Sequence, residues 1–315
     1  MIIVIASILP IILYILVLKL MDSFSLIRWK RLSVCMAYGV LCCLALYFIT
    51  RATAIPEVAG VSIVPVLEEI LKGWVMVVLV RKQKIRFLAE TLIYGAAVGG
   101  GFALLENIIY LANFPQMELG TAIFRGLGCA FMHMGCTALI AAVALLLKEK
   151  PSVLAIPAAF IPSFVLHLLH NRMLLPFSLQ LAATVAVFLV LFIFLFNLGE
   201  KKVYKWMDRS ISTDVATLCS VRAGNFSETN AGKYLLQVRE QFQPEVFFDM
   251  INFVELSLEL KIEKQSRMLL SQAGFEPSED EKASSEEKVR EIAALRKLVG
   301  KTGLQVLAPM VQDKI

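Results

Sequence analysis

Histidine is scarce in this sequence, with 3 residues among 315, and charged residues make up only 18%. The zinc-binding pattern His-Glu-x-x-His is absent, and none of the 6 cysteines has the spacing of a zinc site or of a disulfide framework. The formal net charge is +5, yet the stretch from Gly199 onward holds 17 basic and 18 acidic residues. This distribution does not suggest a nucleic-acid partner.

Apolar residues are abundant instead: they form 58% of the chain, whose mean hydropathy is +0.71. They are concentrated before residue 200, and the remainder has the composition of a soluble protein. We predict an all-α fold, with a polytopic membrane helix bundle at residues 1–198 and a mostly helical soluble C-terminal domain at residues 199–315. Residues 2–20 have no basic segment before them and no small-residue cleavage site after them, so we interpret them as a first span rather than a signal peptide.

Seven apolar segments are long enough to cross a bilayer at about 1.5 Å per residue. The loops between them alternate, without exception, between basic and poorly basic. The positive-inside rule then places the N-terminus outside and the C-terminus in the cytoplasm. The predicted spans are residues 2–20, 32–50, 58–80, 87–112, 121–147, 152–172 and 175–198.

The C-terminal region contains two helical patterns separated by a polar stretch. Residues 245–272 carry apolar side chains at helical spacing and predict one long amphipathic helix. Residues 271–285 have the composition of a linker. Residues 284–300 predict a shorter helix, with Ser284 or Ser285 as N-cap and Gly300 as its end. We find no catalytic motif in this region.

Three charged residues lie within the third predicted span: Glu68, Glu69 and Lys72. A charge at the bilayer centre costs roughly 2.5–3.5 kcal/mol on insertion scales, so these side chains are expected in a polar interior. Glu68 and Lys72 are four residues apart with the acid first, which favours an ion pair between them. Glu69 points about 100° away around the helix, so we expect it to face a different helix.

The next three spans also carry polar residues. The fourth has Gly95 and Gly99, at the spacing of close helix contacts, and one to two turns later Glu106 and Asn107. An acid in a membrane span is a candidate functional residue. The fifth and sixth spans supply Arg125, His133, His167, His170 and Asn171.

The depth of these residues follows from the predicted orientation and the helix rise. Glu68 lies about 15 Å below the outer face, His133 about 18 Å, and Glu106 about 9 Å. His167 lies at a depth similar to that of Glu106. We therefore expect the four spans to line one cavity that is open to the outer side.

Carboxylates and imidazoles around a wet cavity suit the activation of water. In one mechanism a glutamate takes the proton from water, and His167 with Asn171 donates hydrogen bonds to the oxyanion. In the other, a divalent metal such as zinc binds the nucleophile. The residues leave both mechanisms open, so the sequence does not decide whether a metal cofactor is required. The candidate metal ligands are Glu68, Glu69, Glu106, His133 and His167.

Four motifs resemble those of the PrsW family of intramembrane proteases, which is distantly similar to CAAX prenyl proteases. They are EEILK at 68–72, GFALLENIIYL at 101–111, Arg125 with His133 eight residues later, and HLLHN at 167–171. The resemblance covers roughly residues 60–175 and keeps order and spacing. The second CAAX motif has histidine where this chain has Glu106, so the CAAX catalytic scheme does not transfer directly.

The resemblance implies an endopeptidase in the cytoplasmic membrane. Its substrate would be a membrane-anchored protein in the lipid bilayer, such as an anti-sigma factor cut on its extracytoplasmic side. The sequence leaves the substrate, the role of the tail and the oligomeric state undetermined. Carried over by motif, Glu68 or Glu69 would be the general base, aided by Glu106 and His133. His167 and Asn171 would stabilise the oxyanion. Lys72, Asn107 and Arg125 would support the site.

Two other functions use the same buried residues. A non-catalytic membrane scaffold would tolerate the replacement of Glu69 or His167 by alanine. A proton-coupled transporter would use the acids as a relay and would produce flux that depends on Glu68 or Glu106 without cleaving any protein.

Overall fold

The computed structural model describes residues 1–22, 27–53, 57–272, 275 and 278–311. Regular secondary structure in these ranges is helical. The chain separates into two compact units, Met1–Val203 and Tyr204–Ile315. The predicted all-α membrane bundle with a helical C-terminal region is confirmed.

The first unit is built from helices that follow the predicted spans closely, apart from an interruption in the fifth span and an extension of the seventh. The agreement is good because each span is a long apolar run bounded by polar or proline-containing loops. These helices are Ile2–Leu20 (α1), Trp29–Thr53 (α2), Glu57–Arg81 (α3), Leu88–Asn113 (α4), Leu119–Ile123 (α5), Ala130–Leu146 (α6), Ser152–Asn171 (α7) and Phe177–Arg222 (α8).

Six helical stretches of the described residues are long and apolar enough to cross a membrane: α1, α2, α4, Leu119–Leu146, α7 and α8. The chain is therefore a multi-pass membrane protein. Helix α3 has 25 residues and is long enough to span a membrane, but three charged residues close together, Glu68, Glu69 and Lys72, interrupt its apolar sequence. It packs against α6 and α7, and these three charged side chains are buried inside the unit. A seventh span at α3 stays a prediction.

Helix α4 lies at the centre of the first unit, between α2 and α6. In the most apolar 18-residue stretch of α4, 72% of the residues are buried, whereas in that of α1 only 17% are. A Cβ atom at Gly99 would overlap the carbonyl oxygen of His133 on α6, and one at Gly101 would overlap that of Met36 on α2. These glycines therefore let two helix backbones approach α4 closely, as the sequence spacing predicted for Gly99.

A π-helical turn, Phe124–Cys129, connects α5 to α6. The sequence pattern predicted one uninterrupted helix over this stretch. The wider turn shifts the direction of the residues that it carries, among them Arg125, and such turns are frequent at functional sites.

Helix α8 continues well past its predicted end at residue 198, as far as Arg222. Lysine favours helix, so the basic residues that follow the apolar run do not end it. The separation into compact units, between Val203 and Tyr204, falls within this helix. The assignment of residues 199–315 to a soluble domain stays a prediction.

The second unit contains Asn230–Val238 (α9), Pro244–Gln272 (α10) and Glu279–Val311 (α11), together with the 3₁₀ turns Phe226–Glu228 and Arg239–Gln241. Helix α10 confirms the predicted long amphipathic helix. It packs against α11, and the core of the unit includes Leu235, Met250 and Leu307.

The predicted start of the last helix was wrong. Helix α11 begins at Glu279, because Ser278 and Glu281 form a capping box: the Ser278 hydroxyl accepts from the Glu281 N–H at 3.2 Å, and the Glu281 carboxylate accepts from the Ser278 N–H at 3.0 Å. Ser285 instead donates to Glu263 on α10 at 3.0 Å. The linker is therefore shorter than predicted. Gly300 does break the helix, at φ 67°, but helical residues follow it.

Candidate active site

Four buried side chains from three helices converge in the first unit: Glu68 and Glu69 from α3, His133 from α6 and His167 from α7. One potential ligand atom from each lies within 4.8 Å of all the others. The sequence predicted that these residues would share a cavity. The packing of α3 against α6 and α7 brings them together.

Lys72 is fully buried at one side of this cluster. Its Nζ lies 2.8 Å from Glu69 Oε1 and 3.8 Å from Glu68 Oε2. The expected ion pair between Lys72 and Glu68 is therefore present, but Glu69 is the closer partner. On α3 both acids are within one turn of Lys72, and side-chain conformation decides between the three- and four-residue spacings.

The two adjacent acids reach the same cluster, although we expected them to face different helices. Glu69 Oε1 lies 2.8 Å from His167 Nδ1, and Glu68 Oε2 lies 3.6 Å from His167 Nε2. Glutamate has three side-chain torsions, so two neighbours that diverge at Cβ are able to converge at their carboxylates. The two nitrogens of one imidazole thus face the two acids.

Glu68 Oε2 and Glu69 Oε2 are buried, and neither has a hydrogen-bond partner among the described residues. Glu68 Oε2 is nevertheless surrounded by nitrogen atoms: Lys72 Nζ at 3.8 Å, His133 Nδ1 at 3.7 Å and His167 Nε2 at 3.6 Å. Buried polar atoms are almost always paired. Glu68 Oε2 is therefore available to accept a hydrogen bond or to act as a metal ligand.

Glu106 connects the cluster to its more open side. Its Oε2 accepts from Arg125 Nη2 at 2.9 Å and lies 3.2 Å from His133 Nε2. The Glu106 side chain is 23% exposed, whereas those of Glu68 and Glu69 are 8% and 0% exposed. Glu106 is therefore the most accessible of the three acids.

Asn107 supports Arg125 from the adjacent position on α4. Its Oδ1 accepts from Arg125 Nε at 3.1 Å, and its Nδ2 donates to the carbonyl oxygen of Ser7 at 2.8 Å. Arg125 lies on the π-helical turn, which aims it at both neighbours. The predicted supporting residues are thus in contact with the cluster or with each other.

Asn171 is placed differently from the other predicted residues. It is the last residue of α7 and is exposed, whereas His167, one turn earlier, is buried. Its role as an oxyanion donor stays a prediction. His170 is buried and uses Nδ1 to contact Thr184 Oγ1 on α8 at 2.9 Å.

With all three carboxylates ionised and both imidazoles neutral, the charges of the site do not balance within the protein. Glu68, Glu69 and Glu106 then face two cations, Lys72 and Arg125, and one net negative charge remains. An uncompensated buried charge is costly. One proton at the site brings the net charge to zero, and one divalent cation changes it from −1 to +1.

The donor set fits a metal ion of the zinc type, which is bound by carboxylate oxygen and imidazole nitrogen. Donors about 2.05 Å from a tetrahedral metal lie about 3.3 Å apart. The separations of 3.6 and 3.7 Å from Glu68 Oε2 to the two imidazole nitrogens are close to that value. The Lys72 ammonium, 2.8 Å from His133 Nδ1, competes with a cation for that nitrogen.

Sequence reasoning missed three parts of the site. Phe102 covers the Lys72 ammonium, with its ring centre 4.4 Å from Nζ. Ser7, on α1, contributes its backbone carbonyl and so carries no side-chain signal. The π-helical turn around Arg125 was also missed. The two glycines in its sequence, FRGLGC, are a weak hint of an irregular helix.

A family model described as PrsW family intramembrane metalloprotease matches residues 28–198, which is more than half of the chain. No curated protein and no solved structure is significantly similar to the chain. The matched segment includes α2 to α7 and every cluster residue from Glu68 to His167. The chain therefore belongs to the PrsW family of intramembrane metalloproteases.

Proposed function

We propose that this protein is an endopeptidase that hydrolyses a peptide bond in a membrane-anchored protein, using a divalent metal ion of the zinc type. Glu68, His133 and His167 would hold the metal. The observation that carries this proposal is the position of Glu68 Oε2, which is buried without a hydrogen-bond partner among the described residues and faces two imidazole nitrogens at 3.6 and 3.7 Å. A membrane-anchored anti-sigma factor is the substrate class suggested by the sequence resemblance.

Glu69 orients His167 in this proposal. In this role Nδ1 carries the proton and donates to Glu69 Oε1 at 2.8 Å, and Nε2 is left to face Glu68; the short contact supports this tautomer. A carboxylate that accepts from the far nitrogen of an imidazole fixes its tautomer and increases its basicity. Lys72 neutralises Glu69 from the other side at 2.8 Å.

Glu106 transfers the proton from the attacking water to the leaving group in this proposal. It is the most exposed of the three carboxylates, and Arg125 holds it at 2.9 Å. It accepts a proton from the attacking water and delivers it to the leaving amine, as a general base and then a general acid. The metal, when bound, polarises the scissile carbonyl as a Lewis acid.

A metal-free mechanism is the second candidate, and Lys72 is the observation in its favour. Its ammonium already lies 2.8 Å from His133 Nδ1 and 3.8 Å from Glu68 Oε2. In this mechanism Glu68 takes the proton from water. The same four residues then need no ion.

The proposed location is the cytoplasmic membrane, with the N-terminus outside and the C-terminus in the cytoplasm. The alternation of basic loops supports this topology. In that orientation the cluster lies in the outer half of the bilayer or near its midplane, so we propose that water and substrate approach it from the outer side.

The test is cleavage of a single-span membrane protein by the purified full chain in liposomes, with its metal content measured by mass spectrometry. We expect about one divalent ion per chain, loss of cleavage after chelation and recovery with zinc. Glu68→Gln should lower both metal content and cleavage. Glu149→Gln is the matched control, because the Glu149 side chain is 86% exposed and lies in a loop.

The alternatives predict different results. Cleavage that survives chelation but is lost in Glu68→Gln would establish the metal-free mechanism. An absence of cleavage combined with proton flux that depends on Glu106 would replace the protease by a transporter. A cellular function that persists in Glu69→Ala and His167→Ala would identify a scaffold.

A further inference from the structure

Helix α1 precedes the segment that the family model matches, yet it contacts the active site. It packs against α4 and the π-helical turn Phe124–Cys129. We propose that α1 is a positioning element of the protease: through Asn107 it holds Arg125, and through Arg125 it holds Glu106. This inference rests on the proposed function, since it assigns a role within that reaction.

A continuous chain of hydrogen bonds carries the proposal. The Ser7 carbonyl accepts from Asn107 Nδ2 at 2.8 Å, and Asn107 Oδ1 accepts from Arg125 Nε at 3.1 Å. Arg125 Nη2 then donates to Glu106 Oε2 at 2.9 Å. An amide that donates on one side and accepts on the other is held at both ends, so the Ser7 carbonyl sets the orientation in which Asn107 meets Arg125.

Close backbone packing supports the same role. A Cβ atom at Gly126, next to Arg125, would overlap the carbonyl oxygen of Ala6. Only glycine therefore allows α1 to lie directly on the π-helical turn. The contact is made at the residue that precedes Ser7, so the hydrogen bond and the packing act at the same point of α1.

The buried residues of α1 show how the helix is held there. They are Ser7, Ile11 and Ile15, which are spaced four apart and so form one stripe on a helix that is otherwise largely exposed. The two isoleucines belong to the apolar core of the first unit. The small serine at the end of the stripe lets the Asn107 amide reach the backbone carbonyl.

The expected effect on catalysis is large. Misplacement of a catalytic group by about 1 Å lowers the rate by about 100-fold. Release of α1 from the π-helical turn leaves Arg125 free to shift its hydrogen bond to Glu106. It leaves the other end of the cluster, Glu69 with Lys72 and His167, in place. We therefore expect kcat to fall with little change in KM.

The test uses the full chain with two variants and one control. Gly126→Ala pushes α1 off the turn. Asn107→Asp keeps an oxygen for Arg125 but removes the N–H that reaches Ser7, without adding bulk. Because it also adds a negative charge beside Arg125, Gly126→Ala serves as the variant that releases α1 without changing the charge. Gly120→Ala is the control, because a Cβ atom at Gly120 meets no described atom within 4 Å. Each variant is also made in an Arg125→Lys background.

We expect Gly126→Ala and Asn107→Asp each to lower kcat by about 10- to 100-fold at nearly constant KM. In the Arg125→Lys background the further loss should be less than about 3-fold, because residues that act through one another are not additive. Two results would overturn the role of α1 without contradicting the proposed protease function. One is the same fold-loss of kcat in both backgrounds, and the other is a loss as small as that of Gly120→Ala.

Hydrogen–deuterium exchange separates this inference from the proposed function. Both variants should accelerate amide exchange in residues 124–129, and Gly120→Ala should not. If the unaltered protein cleaves no substrate, the proposed function fails, and exchange alone decides whether α1 holds the turn. Unchanged exchange in both variants would overturn the inference.

Discussion

Replacing Lys72 by methionine removes the ammonium from the active-site cluster and keeps a side chain of similar length. Lys72 is fully buried, 2.8 Å from Glu69 Oε1 and from His133 Nδ1, and its Nζ lies 4.4 Å from the Phe102 ring centre. The change therefore leaves Glu69 with only His167 as a close partner and creates no steric conflict.

The magnitude follows from the charges. With all three carboxylates ionised, the site carries one net negative charge, and the loss of Lys72 leaves two. Removal of one partner from a buried ion pair costs about 3–5 kcal/mol of folding free energy. We expect Lys72→Met to destabilise the first unit by that amount. Lys72→Met combined with Glu69→Gln restores one net negative charge and should recover most of the loss.

The assay is equilibrium unfolding of the full chain in mixed micelles, followed by far-ultraviolet circular dichroism. Lys148→Met is the matched control. The Lys148 side chain is 46% exposed and lies 3.7 Å from the exposed Glu149, so its loss should change stability by less than about 0.5 kcal/mol.

Two results would refute the reasoning. A Lys72→Met protein within about 1 kcal/mol of the unaltered chain would show that the buried ammonium does not neutralise the acids. A double variant less stable than Lys72→Met would show that the lost energy is not a matter of charge balance with Glu69.

Two further predictions concern other parts of the fold. Gly99→Ala forces a Cβ atom onto the carbonyl of His133 and should cost about 1–3 kcal/mol in the same unfolding assay, whereas Gly120→Ala should cost far less. Burial raises the pKa of Glu263, but the hydrogen bonds from Lys288 and Ser285 and the positive charges of Lys288 and Arg267 together outweigh it, so the folded pKa lies below the ordinary value. Its stabilising effect should be present above the ordinary pKa of about 4.3 and be lost as pH falls through the lower folded pKa. The fall in Tm from about pH 6 to about pH 3 should therefore be smaller in Glu263→Gln, and an equal fall would contradict it.

Local patterns in the sequence were enough to predict the helices of the first unit and α10. Apolar runs of membrane length and apolar residues at helical spacing do not depend on distant neighbours. The same reasoning was less successful at helix ends. Ser278 and Ser284 each stand three residues before a glutamate, so both match the pattern of a capping box. In the structure the helix begins after Ser278 and continues through Ser284, and the next residue, Ser285, donates a hydrogen bond to Glu263 on α10.

The sequence by itself was enough to predict buried acids and imidazoles in successive apolar helices, because a charge in an apolar segment needs a polar interior. Only the tertiary structure decided that Lys72 lies closer to Glu69 than to Glu68, and that both acids reach His167. Only the structure brought the Ser7 carbonyl to Asn107. These contacts join residues on different helices or depend on side-chain torsions, and such contacts are set by how closely the helices pack rather than by spacing along the chain.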